Sequence, residues 1–296
     1  MSRRSPLLGG AQWVPGEFRW LVADGSGNEL NFIDGGWAVA PERWNDPAIG
    51  TLLDGLLSQF PGSWSLALPG KLRAAIVEFP ELEAEELEQA TRWQAEKLFH
   101  VPAAQLATDY EALTAIVEDP NNSQSLLVSL HQATVDSWFA DLGAMEHPPQ
   151  RVEPVFTACI RALRIAQRGP ECDVFVHADR SGGTLLIVDQ GRLIYTRSLP
   201  PDPEDTLTEY TPVFAGELGV RCLLASLLDC EDRRPHLEIN GLGAFGDIDA
   251  EWTRQAASAT QIAALTRPGL PAGIPETLAE HDRWLIPLGT LFGGLQ

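Results

Sequence analysis

The block from Leu66 to Tyr110 constrains the fold more than any other stretch. Leu66-Ala-Leu ends a strand pattern that begins near Ser63 and stops at Pro69-Gly70. A second apolar run, Ala75-Ile-Val-Glu-Phe, stops at Pro80, because proline cannot donate to a strand ladder. An acidic helix pattern follows from Glu81 to Phe99, ends at Val101-Pro102, and gives way to a strand near Asp109-Tyr110. Strand and helix signals alternate in this way along the whole chain. That pattern argues against an all-β fold and predicts an α/β one.

The acidic helix has a readable face. Ala84, Leu87, Thr91, Ala95 and Leu98 share one stripe, with Glu81, Glu85, Glu88, Arg92 and Glu96 opposite. Early carboxylates suit the positive helix N-terminus. Glu88–Arg92 and Arg92–Glu96 are i,i+4 pairs, each contributing roughly a few tenths of a kcal/mol. Trp93 lies off the apolar stripe, a position that serves either packing on a neighbouring subdomain or contact with a partner.

Charge narrows the partners. The chain of 296 residues carries 41 acidic and 21 basic side chains, a formal charge of −20. Such a chain repels phosphate backbones and anionic lipid and favours basic partner segments. The four cysteines, Cys159, Cys172, Cys222 and Cys230, form no CxxC pair, and the six histidines form no HExxH. Free thiols are expected, and no metal site. No run of about 18 apolar residues is present, so no membrane-spanning helix is expected. Ser2-Arg-Arg-Ser-Pro lacks a following apolar region, and Gly9-Gly-Ala-Gln-Trp-Val-Pro-Gly16 reads as loop, so residues 1–16 are expected to be a flexible tail.

Further along, Phe18 to Ala23 and Glu29 to Ile33 read as a hairpin around Asp24-Gly-Ser-Gly-Asn28, with a third strand over Trp37 to Ala40. Pro47 to Phe60 reads as a helix with Ile49, Leu52, Leu53, Leu56 and Leu57 on one face. Strands over 108–117 and 125–130 precede helices over 131–145 and 156–166, with a short strand at 150–153 between them. Gln167-Arg-Gly-Pro170 reads as a hinge. Strands over 172–178, 184–189 and 192–199 follow, with helices over 214–228 and 249–259, strands over 237–240 and 262–265, and a final helix over 285–292. Each half thus contains a Gly/Ser hairpin, near 18–33 and near 174–199.

These segments, in this order, resemble PilM over roughly residues 18–296. PilM is the actin-like component of type IV pilus assembly. The similarity extends to the cytoplasmic domain of the type II secretion protein GspL. Leu66–Tyr110 and Leu126-Leu-Val-Ser-Leu-His131 look like the family's subdomain 1C. Val174-Phe-Val-His-Ala-Asp-Arg-Ser-Gly-Gly183 looks like its second phosphate hairpin, Leu237-Glu-Ile-Asn-Gly-Leu-Gly-Ala244 like its adenosine turn, and Ile286-Pro-Leu-Gly289 like its closing helix. The implied fold is α/β and actin-like, a duplicated ribonuclease H-like motif with a 1C-type subdomain and a reduced 2B. The implied division is subdomain 1A over 17–74, 150–168 and 276–296, 1C over 75–149, and 2A with the reduced 2B over 171–275.

In the actin-like superfamily the hairpin turns clasp nucleotide phosphates. The resemblance carries that role onto Gly25, Ser26 and Gly27, onto Ser181, Gly182 and Gly183, and, for the adenosine turn, onto Gly241 and Gly243. These turns depart from the family pattern. Asp24-Gly25-Ser26-Gly27 is shortened. His177 replaces an Asp that would face metal-bound water, and neutral imidazole is a poor ligand for Mg²⁺. Asp179 stands where a Gly is expected, and a carboxylate repels a phosphate by about 1 kcal/mol at about 4 Å in water. About 37 residues separate Leu199 from Leu237, short for a full 2B. A degenerate nucleotide site without bound cofactor is the expectation, with Mg-ATP binding as the alternative. A rival GxGxxG at Gly241–Gly246 lacks the acidic residue about 20 positions on that a dinucleotide fold requires. No GxSxG, P-loop or Cys/His order points to catalysis.

By resemblance, the function is that of a cytoplasmic scaffold at the inner membrane. It would dock the N-terminal cytoplasmic peptide of a PilN-like bitopic protein between 1A and 1C and relay to an assembly ATPase. Trp93 and Phe99 are the candidate partner contacts. An ATP-binding PilM-type switch and a GspL-like secretion subunit remain as alternatives.

Overall fold

The computed structural model describes residues 7–25, 31–70, 72–113, 122–166, 173–179, 182–189, 192–199, 236–240, 265–266 and 284–293. In chain order the elements are β1 (Leu7–Val14), β2 (Glu17–Asp24), β3 (Asn31–Val39), α1 (Pro47–Gln59), β4 (Gly62–Leu68), β5 (Arg73–Pro80) and α2 (Ala84–Phe99). After a short 3-10 turn at Ala103–Gln105 come β6 (Leu106–Ala112), β7 (Asn122–His131), α3 (Gln132–Leu142), β8 (Arg151–Pro154) and α4 (Val155–Ala166). The second half contributes β9 (Asp173–Asp179), β10 (Gly182–Asp189), β11 (Arg192–Leu199), β12 (His236–Asn240), β13 (Leu265–Thr266) and α5 (Leu285–Gly293). The hinge at 167–170, the reduced 2B and the helices expected over 214–228 and 249–259 lie outside the described residues.

Among the described residues there are three sheets, and two of them repeat one plan. The first has the order β3-β2-β1-β4-β8 and another has β11-β10-β9-β12-β13. In both, the first three strands form an antiparallel meander, and the first, fourth and fifth strands run parallel.

The start of the chain departs from expectation. Residues 7–14 are the central strand of the first sheet, hydrogen-bonded to β2 on one side and β4 on the other, and not part of a flexible tail. Successive strand residues face opposite sides of a sheet, and here both sides are crowded. A Cβ on Gly9 would lie 2.2 Å from the Trp64 indole, and one on Gly10 would lie 2.1 Å from the Pro287 carbonyl oxygen. Gly-Gly reads as loop by propensity, yet only glycine admits Trp64 on one face and α5 on the other. A second correction follows from β3, which is one strand over 31–39 and pairs with β2 throughout.

Helix α5 holds the first sheet to α4. Trp284, Leu285, Ile286, Leu288, Thr290 and Leu291 are all buried, as expected for a helix enclosed on every side. Pro287 sits in its first turn, where the missing N–H leaves no bond unmade. At Gly289 the helix touches α4 backbone to backbone: a Cβ there would lie 1.8 Å from the Ala158 carbonyl oxygen. On the other face of the sheet, α1 buries Ile49, Leu53 and Leu57, as its periodicity predicts. Asp46 caps it by accepting from Ala48 N at 2.9 Å, and Pro47 opens it.

The third sheet, β5-β7-β6, is antiparallel and separate. Helix α2 covers one face, where Ala95, Leu106 and Leu127 join Val77 and Phe79 in a small core. Thr91 and Ala95 are the buried residues of α2, whereas Ala84 and Leu98 are exposed, so the buried stripe is narrower than expected. Glu88 pairs with Arg92 at 2.7 Å, but Glu96 accepts from Ala103 N at 3.0 Å instead of from Arg92. His100 ends the helix in the left-handed region at φ 54.

Glycine substitutions separate tolerated from forbidden positions. Gly289→Ala is expected to lose about 3 kcal/mol or more, because backbone atoms cannot give way. Gly55→Ala, on the exposed side of α1 with nothing within 4 Å of its Cβ, is expected to gain about 0.5–1 kcal/mol. Urea denaturation of the two variants measures both changes.

Candidate functional site

The described residues enclose a groove of about 660 Å³ between the β6–β7 wall and the β8–α4 wall. Each wall is an edge: β6 ends the three-stranded sheet, and β8 ends the first sheet. Register places Ala107, Asp109 and Glu111 on the same side of that sheet as Leu130, Val128 and Leu126, which is the side away from α2. The groove therefore has an apolar back at Leu126 and Val128. Two carboxylates two residues apart, about 7 Å along an extended strand, stand on one lip. The opposite wall presents Arg151, Val152, Thr157, Ile160 and Arg161.

A buried ion pair forms the floor. Arg161 grips Glu153 with both terminal nitrogens, one of them at 2.7 Å, and donates to the Gly289 carbonyl at 2.8 Å. Thr157 Oγ1 donates to Glu153 at 2.7 Å. The Glu153 side chain is 4% exposed and that of Arg161 13%, so the pair is shielded from salt. It ties the end of β8, the first turns of α4 and the middle of α5 into one unit.

The opening hairpin of the first half is β1–β2, one hairpin earlier than the sequence reading placed it. By the repeat of sheet order, its turn corresponds to the turn between β9 and β10. That first turn does not fit a phosphate. Pro15 has no N–H to offer, and Gly16, at φ 84, spends its N–H on the Pro41 carbonyl at 3.4 Å. Glu17 adds a carboxylate at the strand start. Beneath it Arg19 is committed to Glu17 at 2.5 Å and to Gln12 at 3.1 Å.

None of the described residues singled out in sequence lines the groove. Gly25 follows the end of β2, and Gly182 and Gly183 open β10 opposite Asp179 and Ala178. Ser26, Gly27, Ser181, Gly241 and Gly243 lie outside the described residues. Trp93 is 68% exposed on the outer side of α2, with the Lys97 ammonium 6.0 Å from its ring. Phe99 packs at the rim of the small core, and its carbonyl accepts from Arg73. Neither lines the groove. Asp109 and Glu111 do, and the i,i+2 spacing of two acids on an edge strand was their only signal. Among the described residues no three metal-ligating side chains converge, and no helix is long and apolar enough to cross a membrane.

No family model and no curated protein matches the sequence. Solved structures do. A chain of a PilM–PilN type IV pilus biogenesis complex is 14% identical, with 98% of each chain covered and a TM-score of 0.73. A Bacteroides thetaiotaomicron protein with an actin-like ATPase fold and unknown function is 11% identical, covering 90% of this chain and 92% of its own, at TM-score 0.50. The fold is actin-like. Its duplication is the sheet order seen twice here, and the groove lies where the three-stranded sheet meets the first half of that actin-like frame.

The floor of the groove gives a direct test of the buried pair. Arg161→Met leaves Glu153 buried and unpaired and is expected to cost about 3–5 kcal/mol. Adding Glu153→Met to it is expected to restore most of that loss, read by guanidinium denaturation of the single and double variants.

Proposed function

We propose that this chain is a scaffold subunit of a type IV pilus or related inner-membrane assembly platform. In this reading it docks the N-terminal cytoplasmic peptide of a PilN-like bitopic protein in the groove between β6 and β8. The observation that carries the reading is the groove itself: a long cleft bounded by two strand edges, with an apolar back and a carboxylate lip, in a fold shared with a chain of a PilM–PilN complex. A basic, extended peptide suits such a cleft, and a chain of net charge −20 attracts it from a distance. The partner would hold the chain at the inner face of the membrane and pass its state on to an assembly ATPase. Docking, not chemistry, is the mechanism. Support for a scaffold without ATP hydrolysis comes from the first turn, whose Pro15, Gly16 and Glu17 offer a phosphate little.

A labelled peptide carrying the cytoplasmic N-terminus of a PilN-like protein tests the reading by fluorescence anisotropy. Asp109→Lys with Glu111→Lys is expected to weaken binding by about tenfold or more and to flatten its salt dependence. Val128→Arg, at the back of the groove, is expected to abolish it. Calorimetry with Mg-ATP is expected to show no heat of binding. Micromolar ATP affinity would replace the scaffold by a nucleotide-driven switch.

A further inference from the structure

The ladder between β6 and β7 determines which β6 amides face the groove. Leu113 N donates to the Gln124 carbonyl at 2.8 Å, and the same register continues through Glu111↔Leu126, Asp109↔Val128 and Ala107↔Leu130. Hydrogen-bonded and non-bonded pairs alternate in an antiparallel ladder. The N–H groups of Ala107, Asp109 and Glu111 therefore point to β7. Those of Thr108, Tyr110 and Ala112 point outward, along an edge that pairs with no other strand among the described residues.

That edge is covered at one point. Asp109 Oδ1 accepts the outward Tyr110 N–H at 2.8 Å. A carboxylate folded over its neighbour's amide occupies the donor that a foreign strand would use, one way an edge is kept from pairing indiscriminately. The cover is also removable, since Asp109 is exposed and the bond is a single exposed one.

We propose that β6 is a strand-addition edge and that Asp109 is its removable cap. The proposal rests on the docking of a basic peptide in the groove. The occupant is an extended peptide with Lys or Arg at alternate positions. Its backbone pairs with Thr108, Tyr110 and Ala112. Asp109 releases the Tyr110 N–H to a peptide carbonyl and turns to a peptide cation, so no buried donor is left unmet. Alternate basic residues match the two-residue spacing of Asp109 and Glu111 on that lip. A second copy of this chain in the same place would bring another −20 against these carboxylates.

Amide hydrogen exchange, followed by NMR on the full chain, tests both parts. Without peptide, Asp109→Ala is expected to speed exchange at Tyr110 severalfold and leave Thr108 unchanged. An unaltered Tyr110 rate overturns the cap. With the same PilN-like N-terminal peptide, slowed exchange is expected at Thr108, Tyr110 and Ala112, with little change at Ala107, Asp109 and Glu111, which are already bonded. N-methylation of alternate peptide amides is expected to weaken binding by about tenfold for one set of positions only. Binding that Val128→Arg abolishes but that protects β6 without alternation overturns strand addition and leaves docking standing. Absence of any binding overturns both.

Discussion

Everything in the first half hangs on how closely α5 approaches its neighbours. Its helix lies on Gly10 of β1 along one side and on Ala158 of α4 along the other, with Gly289 as the contact to α4. Neither contact leaves room for a methyl group. The result is a dense layer of buried Leu and Ile side chains in which α5 has almost no exposed surface. Interiors packed at this density transmit displacement instead of absorbing it. A shift of α4 is therefore felt by α5 and, through it, by the central strand.

The candidate groove inherits its shape from that layer. Its floor is the Glu153–Arg161 pair, and Arg161 is anchored in turn on the Gly289 carbonyl, the very residue at which α4 and α5 touch. A buried ion pair contributes little net stability against an apolar alternative, but it specifies geometry, because an unpaired charge at that depth is costly. Here the geometry it specifies is the position of β8 relative to α4, and so the width of the cleft that β6 closes from the other side. The proposed docking mode uses one strand edge of that cleft, while the small core beneath α2 holds the edge in place.

Local patterns made much of the chain legible. The apolar spacing of α1, with Asp46-Pro47 as its start, predicted both the helix and its buried face. The Pro-bounded runs around β4, β5 and α2 predicted the order of elements there to within a few residues. The groove was less legible. Asp109 and Glu111 read as ordinary surface acids, because nothing in a strand pattern says which of its faces meets a groove. The partners of Glu153 sit on α4, and Arg161 is held in turn by the Gly289 carbonyl of α5, 128 positions further on. Trp93 shows the same difficulty in reverse: its place off the stripe was plain, while its exposure depended on what else reached that side of α2.

The sequence by itself determined the local choices: which segments are helix, where prolines stop strands, which helix faces are apolar, and a net charge of −20. These follow from propensity, periodicity and Coulomb's law acting over a few residues. Tertiary structure decided the rest. It made Gly9 and Gly10 the centre of a sheet, where short-range propensity reads a loop, because Trp64 and α5 leave no space for any side chain. It moved the opening hairpin to residues 7–24 and so placed Pro15 and Glu17 at its turn. And it set two strand edges across from each other, since which edges remain uncovered depends on how separate sheets pack, a relation that no local window of residues contains.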